Sequence, residues 1–566
     1  MNIFSTLRPS EKVAAVIAFA VFILSSFFVY SSTQKTFGVE VPDRGGKIIE
    51  GMVGNPRYIN PILATSDVDK SLTNVIYSGL LKISTNGQLV PDLAESWTVS
   101  ENGLIYTVRI NPNAEFHDGT PLTTEDVLFT IDMAKNPDVN SPIAANWSGV
   151  TVQKVDDRQI TFTLKKAYAP FAENLTLGIL PKHIWSTVPA QDFDLSAYYQ
   201  IPIGSGAFKV KSIRQDKDGF IETYDLEAFK KYTLGRPYID RLTIAFMRSE
   251  DEAKKAFEKK DIDTLSGIHS EVIKELIEHD SDTIIKTSTL PRIFALFFNQ
   301  NTEPIFLHKE VRKALDVSVD KDQIIKEVLG GYGKAINSPI PITVTDSTLT
   351  GATTTESLTP DQRIASARQV LEKAGWTLNA STSIYEKKTT EKTEKLAFTI
   401  STSNSTELIR TAELLKDQWT KIGADVKIET FESSDLTQKV IRPRKYGALL
   451  FGQIVGRDID LYPFWHSTQR VDPGLNIASY TNTKANTALE IARSTSDQIK
   501  RVAARADFAK EVANDIPAVF LFSPEYIYAQ NTQVFTDNMQ FITEPSDRFI
   551  NINTWYTNTT YKWKLK

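Results

Sequence analysis

Chemistry-bearing residues are densest between Gly447 and Asn482, where Arg457, Asp458, Asp460, Tyr462, Trp465, His466, Asn476 and Tyr480 follow one another within a single stretch. Two carboxylates and a guanidinium can form charge-assisted hydrogen bonds, and the rings offer flat apolar surface. Such a set suits a loop that grips a polar ligand with an apolar body. It suits equally a packed loop whose polar groups satisfy one another. Asp458 and Asp460 could also act as a hydrolytic pair, but no nucleophile–base motif accompanies them, so no enzyme activity and no catalytic residue is expected. A second candidate is the segment PIGSGAFKV at 202–210, with Gly204, Ser205, Gly206 and Phe208. Its glycines allow a close backbone approach to a ligand, or else mark a bulge or tight turn.

The positioning elements follow from local pattern. Ala448–Phe451 is an apolar run bounded by glycines, read as a buried strand that delivers the 457–480 loop. Upstream, Gly46–Gly51 reads as a strand and Asp67 opens a helix with Leu72, Val75 and Ile76 on one face. Asn86-Gly87 is a hairpin turn. Thr123 caps a helix with Asp126 three residues on. His117-Asp118 is read as a turn beside that cap. Thr359-Pro360 starts a helix that stops at Gly375. Leu408, Ala412, Leu415, Trp419 and Ile422 follow helical spacing, which makes Trp419 a core residue. A single helix is expected over 485–511, then an apolar run at 516–522.

Bulk composition narrows the class. At 566 residues several domains are expected, and 41% hydrophobic with 23% charged residues describes a globular chain. A formal net charge of −5 provides no general attraction to nucleic acid. The absence of cysteine removes disulfides, thiolate zinc sites, cysteine nucleophiles and a lipidated N-terminal cysteine. Six scattered histidines lack metal-ligand spacing, so neither metal nor cofactor is expected.

Residues 13–30, VAAVIAFAVFILSSFFVY, are the one membrane-grade segment. Eighteen helical residues span roughly 27 Å, close to the ~30 Å hydrocarbon layer. Arg8 and Lys12 precede it, as for an N-terminus left in the cytoplasm. An uncleaved anchor is the preferred reading and a cleaved signal peptide the competing one. Both place the remainder outside the cytoplasm, and a polar linker is expected at 31–46.

Ordered motifs then carry a resemblance. "LVPDLAESW", "YTVRI" and "FHDGTPLTTEDV" in 89–127, "LPKH" at 180–183, PIGSGAF, the 296–341 tract and "YPFWHS…GLN…YTN" resemble, in order, family 5 extracellular solute-binding proteins. These are the peptide-binding subunits of ABC importers. The resemblance covers about 46–545. It implies an α/β, class II periplasmic-binding-protein fold, two lobes with a hinge plus an inserted domain, preceded by one transmembrane helix. By that layout lobe I gathers 46–68, 191–288 and 490–566, the inserted domain 69–190, and lobe II 289–489, after an anchor and linker at 1–45.

The resemblance further implies a monomeric receptor that captures peptides in an interlobe cleft and delivers them to a permease. Another small solute, such as a metal chelate or oligosaccharide, and an anchored sensor remain alternatives. The expected ligand-binding residues are Arg457, Asp458, Asp460, Trp465, His466, Asn476, Tyr480, Gly204, Ser205, Gly206 and Phe208, the last four on a strand at the cleft. One departure stands out. Peptide binders of the family often place an aspartate for the ligand's α-ammonium where this chain has Arg457, with Asp458 one position on. An arginine there favours a carboxylate or phosphate, or pairs with Asp458 or Asp460.

Overall fold

A computed structural model describes residues 8–279, 282–341, 358–390 and 392–563. Residues 1–7 of the expected anchor segment and 342–357 of the expected second lobe lie outside that description.

One strand organises both lobes. Ala518–Asn531 runs through a twelve-stranded sheet, and its two halves have different partners. Residues 518–522 pair with Arg292–Phe298, and 525–531 pair with Thr283–Thr289. Two neighbouring crossings, 289–292 and 522–525, therefore join the lobes, each containing a proline (Pro291 and Pro524) that cannot donate to a ladder. Lys47–Val53 lies between Arg241–Met247 and Thr264–Ser266, parallel to both. These strands, with the hairpin Phe208–Gln215 and Ile221–Ala228, complete the first lobe's sheet.

In the second lobe, Arg292–Phe298 is followed by Ala448–Ile454, Ala397–Ser403 and Asp425–Phe431. Strand alternation fills both faces. Leu296 and Phe298 join Trp419 and Phe398 on one side, while Ile293, Ala295 and Phe297 join Trp465 and Phe508 on the other. Trp419 is core as expected, its Nε1 donating to Leu315 O at 3.1 Å.

The segment expected as an insertion carries its own sheet, Ala94–Val99, Ile105–Ile110, Gln159–Leu164 and Val150–Lys154. Its core is continuous with the first lobe's, joining Val108, Phe162 and Phe171 to Ile48 and Leu242. Local predictions hold at Asp67–Ile76, at the Gly87 turn and at Thr123, whose N–H donates to Asp126 at 2.9 Å.

Three expectations change. The helix over 485–511 is two, Thr483–Ser494 and Gln498–Asp515, because Asp497 caps a second start. Phe508 and Val512 of the latter pack with Trp465 and Phe520 in the second lobe, whereas the sequence reading put everything after 490 in the first. The chain returns only near 525, and Phe549 and Trp555 then join the first lobe's core. Finally, the polar linker at 31–46 is structured. The N-terminal helix runs Pro9–Phe37, and Gly38–Asp43 pairs antiparallel with Asn558–Trp563, a partner five hundred residues away.

Candidate functional site

Between the lobes lie two adjoining cavities of about 480 and 790 Å³. Glu173 and Arg457 line both. Arg457 arrives on the loop that leaves Ala448–Ile454, after Gly456 at φ +80°, a turn conformation glycine adopts without strain. Glu173 arrives from the other wall on the short helix Ala169–Thr176, whose Phe171, Ala172 and Leu175 are buried.

Arg457 does not pair with its own loop. Its guanidinium crosses the cleft to Asp547 Oδ2 at 2.6 Å and to the carbonyl of Phe541, both on the first lobe's C-terminal segment. That segment is held in turn by Arg548, whose Nε donates to Glu50 Oε1 at 2.8 Å, both side chains being fully buried. Tyr528 donates to the other Glu50 oxygen at 2.6 Å.

Asp458 faces Arg501 and Arg505, one helical turn apart on Gln498–Asp515. Asp460 forms an ion pair with Arg493 Nε at 3.3 Å and accepts from the Tyr168 hydroxyl, also at 3.3 Å. Tyr168 belongs to the opposite wall, so this is a second bridge between the lobes. Arg493 lies over both the Tyr168 and Tyr462 rings, at 4.9 and 4.5 Å from their centroids. Burial pushes the Asp460 carboxyl above its usual range, opposed chiefly by Arg493. Burial likewise raises Glu173, to about 7, with Asp458 and Asp547 adding to the rise and Arg457 and Arg501 opposing it.

Of the expected ligand residues Arg457 and Asp458 line the cavities and Asp460 adjoins them through Tyr168, whereas the others are packed elsewhere. Trp465 is 1% exposed, packed on Phe297, Phe508 and Phe520. Asn476 is a loop brace: its amide donates to the carbonyls of Trp465, His466 and Tyr480 and accepts from Tyr480 N–H. Tyr480 donates to Asp515 at 2.7 Å. His466 is buried, stacked on Tyr462 and bonded to Thr468 at 2.7 Å. Loop packing, the alternative left open by composition, accounts for these four.

The glycine segment is corrected in the same sense. A Cβ on Gly204 would sit 2.1 Å from Ile76 O, and one on Gly206 would sit 2.6 Å from Ile76 C. The close approach is real, but the end of the helix Asp67–Ile76 occupies it, with Gly206 N–H donating to Ile76 O at 2.8 Å. Ser205 and Phe208 are buried beside it. Conversely, Glu173, Tyr168, Arg493, Arg501 and Asp547 escaped sequence reasoning. They come from three separate stretches, Tyr168 capping the helix that carries Glu173, Arg493 and Arg501 on successive helices and Asp547 near the C-terminus, and none belongs to a local motif. Among the described residues no three His, Cys, Asp or Glu side chains form a metal-binding group.

Two α/β lobes joined by adjacent crossings, with charged cavities between them, define a cleft-type solute receptor. The match to the bacterial extracellular solute-binding proteins of family 5, over residues 88–474, is specific, and the chain belongs to that family. It is 28% identical over 535 residues to the oligopeptide-binding protein AppA of Bacillus subtilis, covering 93% of this chain and 94% of AppA. The structure of that protein in complex with a nonapeptide superposes with TM-score 0.66 at 27% identity, covering 92% of this chain and all of that one. NikZ from Campylobacter jejuni, in complex with Ni(L-His), matches with TM-score 0.67 at 25% identity, over 90% of this chain and 99% of that one.

Proposed function

We propose that this chain is the membrane-anchored peptide receptor of an ABC importer, closing its lobes on a peptide and presenting it to a permease. The observation that carries this reading is the pair of adjoining interlobe cavities with cationic and anionic groups on both walls. A zwitterionic ligand needs both signs, and charge-assisted bonds to its ends contribute about 1.5–3 kcal/mol each. AppA's nonapeptide complex supports the ligand class.

Both cleft walls come from one chain, so a monomer suffices. The ligand can favour closure only through contacts it gains in the closed form, and going from about 1% to 99% closed takes ~5.5 kcal/mol. No bond-breaking step is assigned: Asp458 and Asp460 are held as partners of arginines.

The anchor is read as uncleaved. Ser10–Val29 is long and apolar enough to cross a membrane, and its side chains pack against nothing. About 20 residues span the ~30 Å hydrocarbon layer, and residues 30–37 add only about 12 Å of helix beyond it. The Gly38–Asp43 strand then enters the body at once. This stands the first lobe at the outer membrane surface.

Native mass spectrometry of the purified full chain, followed by release and identification of what it carries, tests the function. A set of short peptides is expected. A single non-peptide solute, or an empty protein that also ignores peptide libraries, overturns it.

A further inference from the structure

The two carboxylates of the 457–460 loop, the natural candidates for a ligand's ammonium group, are already occupied. Asp458 lies between Arg501 and Arg505, and Asp460 between Arg493 and the Tyr168 hydroxyl. Arg457 is likewise engaged, by Asp547 and a carbonyl. Glu173 differs from all of these. It lines both cavities, and among the described residues no hydrogen bond or ion pair reaches its carboxylate. Its backbone carbonyl accepts from the Thr176 hydroxyl at 2.7 Å, a bond that does not involve the carboxylate.

The Glu173 side chain is half-buried and faces both cavities, so its charge is partly desolvated with no protein donor to offset that cost. The charged groups that face it are Arg457, Asp458, Arg501 and Asp547, two of each sign. Their opposed fields leave burial to dominate, and the carboxyl is pushed to about 7. A cation delivered by the ligand would supply the missing donor at this point. Strain or desolvation built into an empty site and relieved on binding is a recurrent device of ligand pockets.

We infer that Glu173 is the acceptor for the ligand's cationic end, the α-ammonium of a peptide in the first instance. This rests on the peptide-receptor reading above and deepens it. The ammonium would then be held by the inserted segment's wall, across the cleft from the loop where its sequence position is expected. The junction of the two cavities would be where the peptide's first residue sits, with Arg457 beside it. An arginine at that position no longer conflicts with a peptide ligand, because the acid it displaces is provided by Glu173.

The test compares a short peptide bearing a free N-terminus with its Nα-acetylated form, by titration calorimetry on the full chain. Acetylation removes the charge and is expected to weaken binding to the natural protein about 10- to 150-fold, the span of one charge-assisted bond. Glu173→Gln should bind both forms alike, and Glu173→Asp, which keeps the charge on a shorter arm, should retain part of the preference. Thermal melting of each variant reports folding independently. A full acetylation penalty in Glu173→Gln overturns the assignment, and its disappearance in Asp458→Asn instead moves the ammonium to Asp458. If the natural protein binds neither form, the peptide-receptor reading fails, and this assignment with it.

Discussion

Replacing Tyr168 by Ala removes the hydroxyl and ring contacts by which the inserted segment's wall meets Asp460 and Arg493. Two interactions disappear. The cation over the ring, 4.9 Å from its centroid, is worth roughly 0.5–2 kcal/mol at a partly buried site. The hydroxyl's bond to Asp460 is long at 3.3 Å, so about 1 kcal/mol is the appropriate share of the range for charged acceptors. Together they sum to roughly 1.5–3 kcal/mol of closed-state stability, or about a 10- to 150-fold shift toward open lobes. Arg493 keeps Tyr462 and Asp460 as partners in the open form, so no buried charge is orphaned. A ligand that requires closure loses the whole factor in Kd when the closed form is the minor one without ligand, and less as it becomes the major one.

The chain has no cysteine, so Glu101→Cys and Lys416→Cys, at exposed positions on opposite lobes, label uniquely for single-molecule energy transfer. Tyr168→Ala should raise the open population and the Kd together. Tyr168→Phe, which loses only the hydroxyl, should give a smaller change in both. Unchanged populations and unchanged Kd in Tyr168→Ala would refute the clasp.

Four other outcomes are expected. Trp465→Ala should lower unfolding free energy by about 3–5 kcal/mol in urea, with ligand affinity of the folded protein nearly unchanged; the reverse pattern would return Trp465 to the binding site. Glu50→Gln strands the buried Arg548 guanidinium and should destabilise by about 3–5 kcal/mol, visible as a large drop in Tm. His117 is half-buried, accepting from Gly204 N–H at Nδ1 and meeting Gly206 O at Nε2, and desolvation lowers it to about 4. Since its folded value lies below the unfolded ~6.5, its contribution is present above that pH and is lost as pH falls toward 4, a loss that His117→Gln should not show. Finally, nitroxides at Ile23→Cys and Trp563→Cys in full-length protein in lipid nanodiscs should report the hydrocarbon layer and the headgroup zone respectively. A mature chain lacking residue 23 would mean a cleaved signal, and bulk-water accessibility at 563 would mean a longer stalk.

Local grammar alone determined much of this protein. The capping box at Thr123, the Asn86-Gly87 turn, the proline-started helix at 360 and the helical face that includes Trp419 are all set by residues within a few positions of one another, where spacing dictates which groups meet. The ordered motifs of 89–127 and 296–341 carried the family resemblance for the same reason, being runs of local pattern. The apolar 13–30 segment announced itself by length.

What only the tertiary structure decided is which polar residues face the cleft. The 457–480 loop holds charges and rings of every useful kind, but Asn476, Tyr480, His466 and Trp465 turn inward to satisfy its backbone and fill the sheet's second face. Gly204 and Gly206 serve Ile76, not a ligand. The linker at 38–43 became a strand because the chain's far end pairs with it. Glu173, Tyr168 and Asp547 come within reach of the 457–460 loop only through the way the lobes are set against each other, across separations of 90 to nearly 300 residues. Spacing in sequence reports neighbours on one helix or strand; a cleft is made of residues whose nearness depends on how whole lobes are joined, and that information lies in the crossings at 289–292 and 522–525.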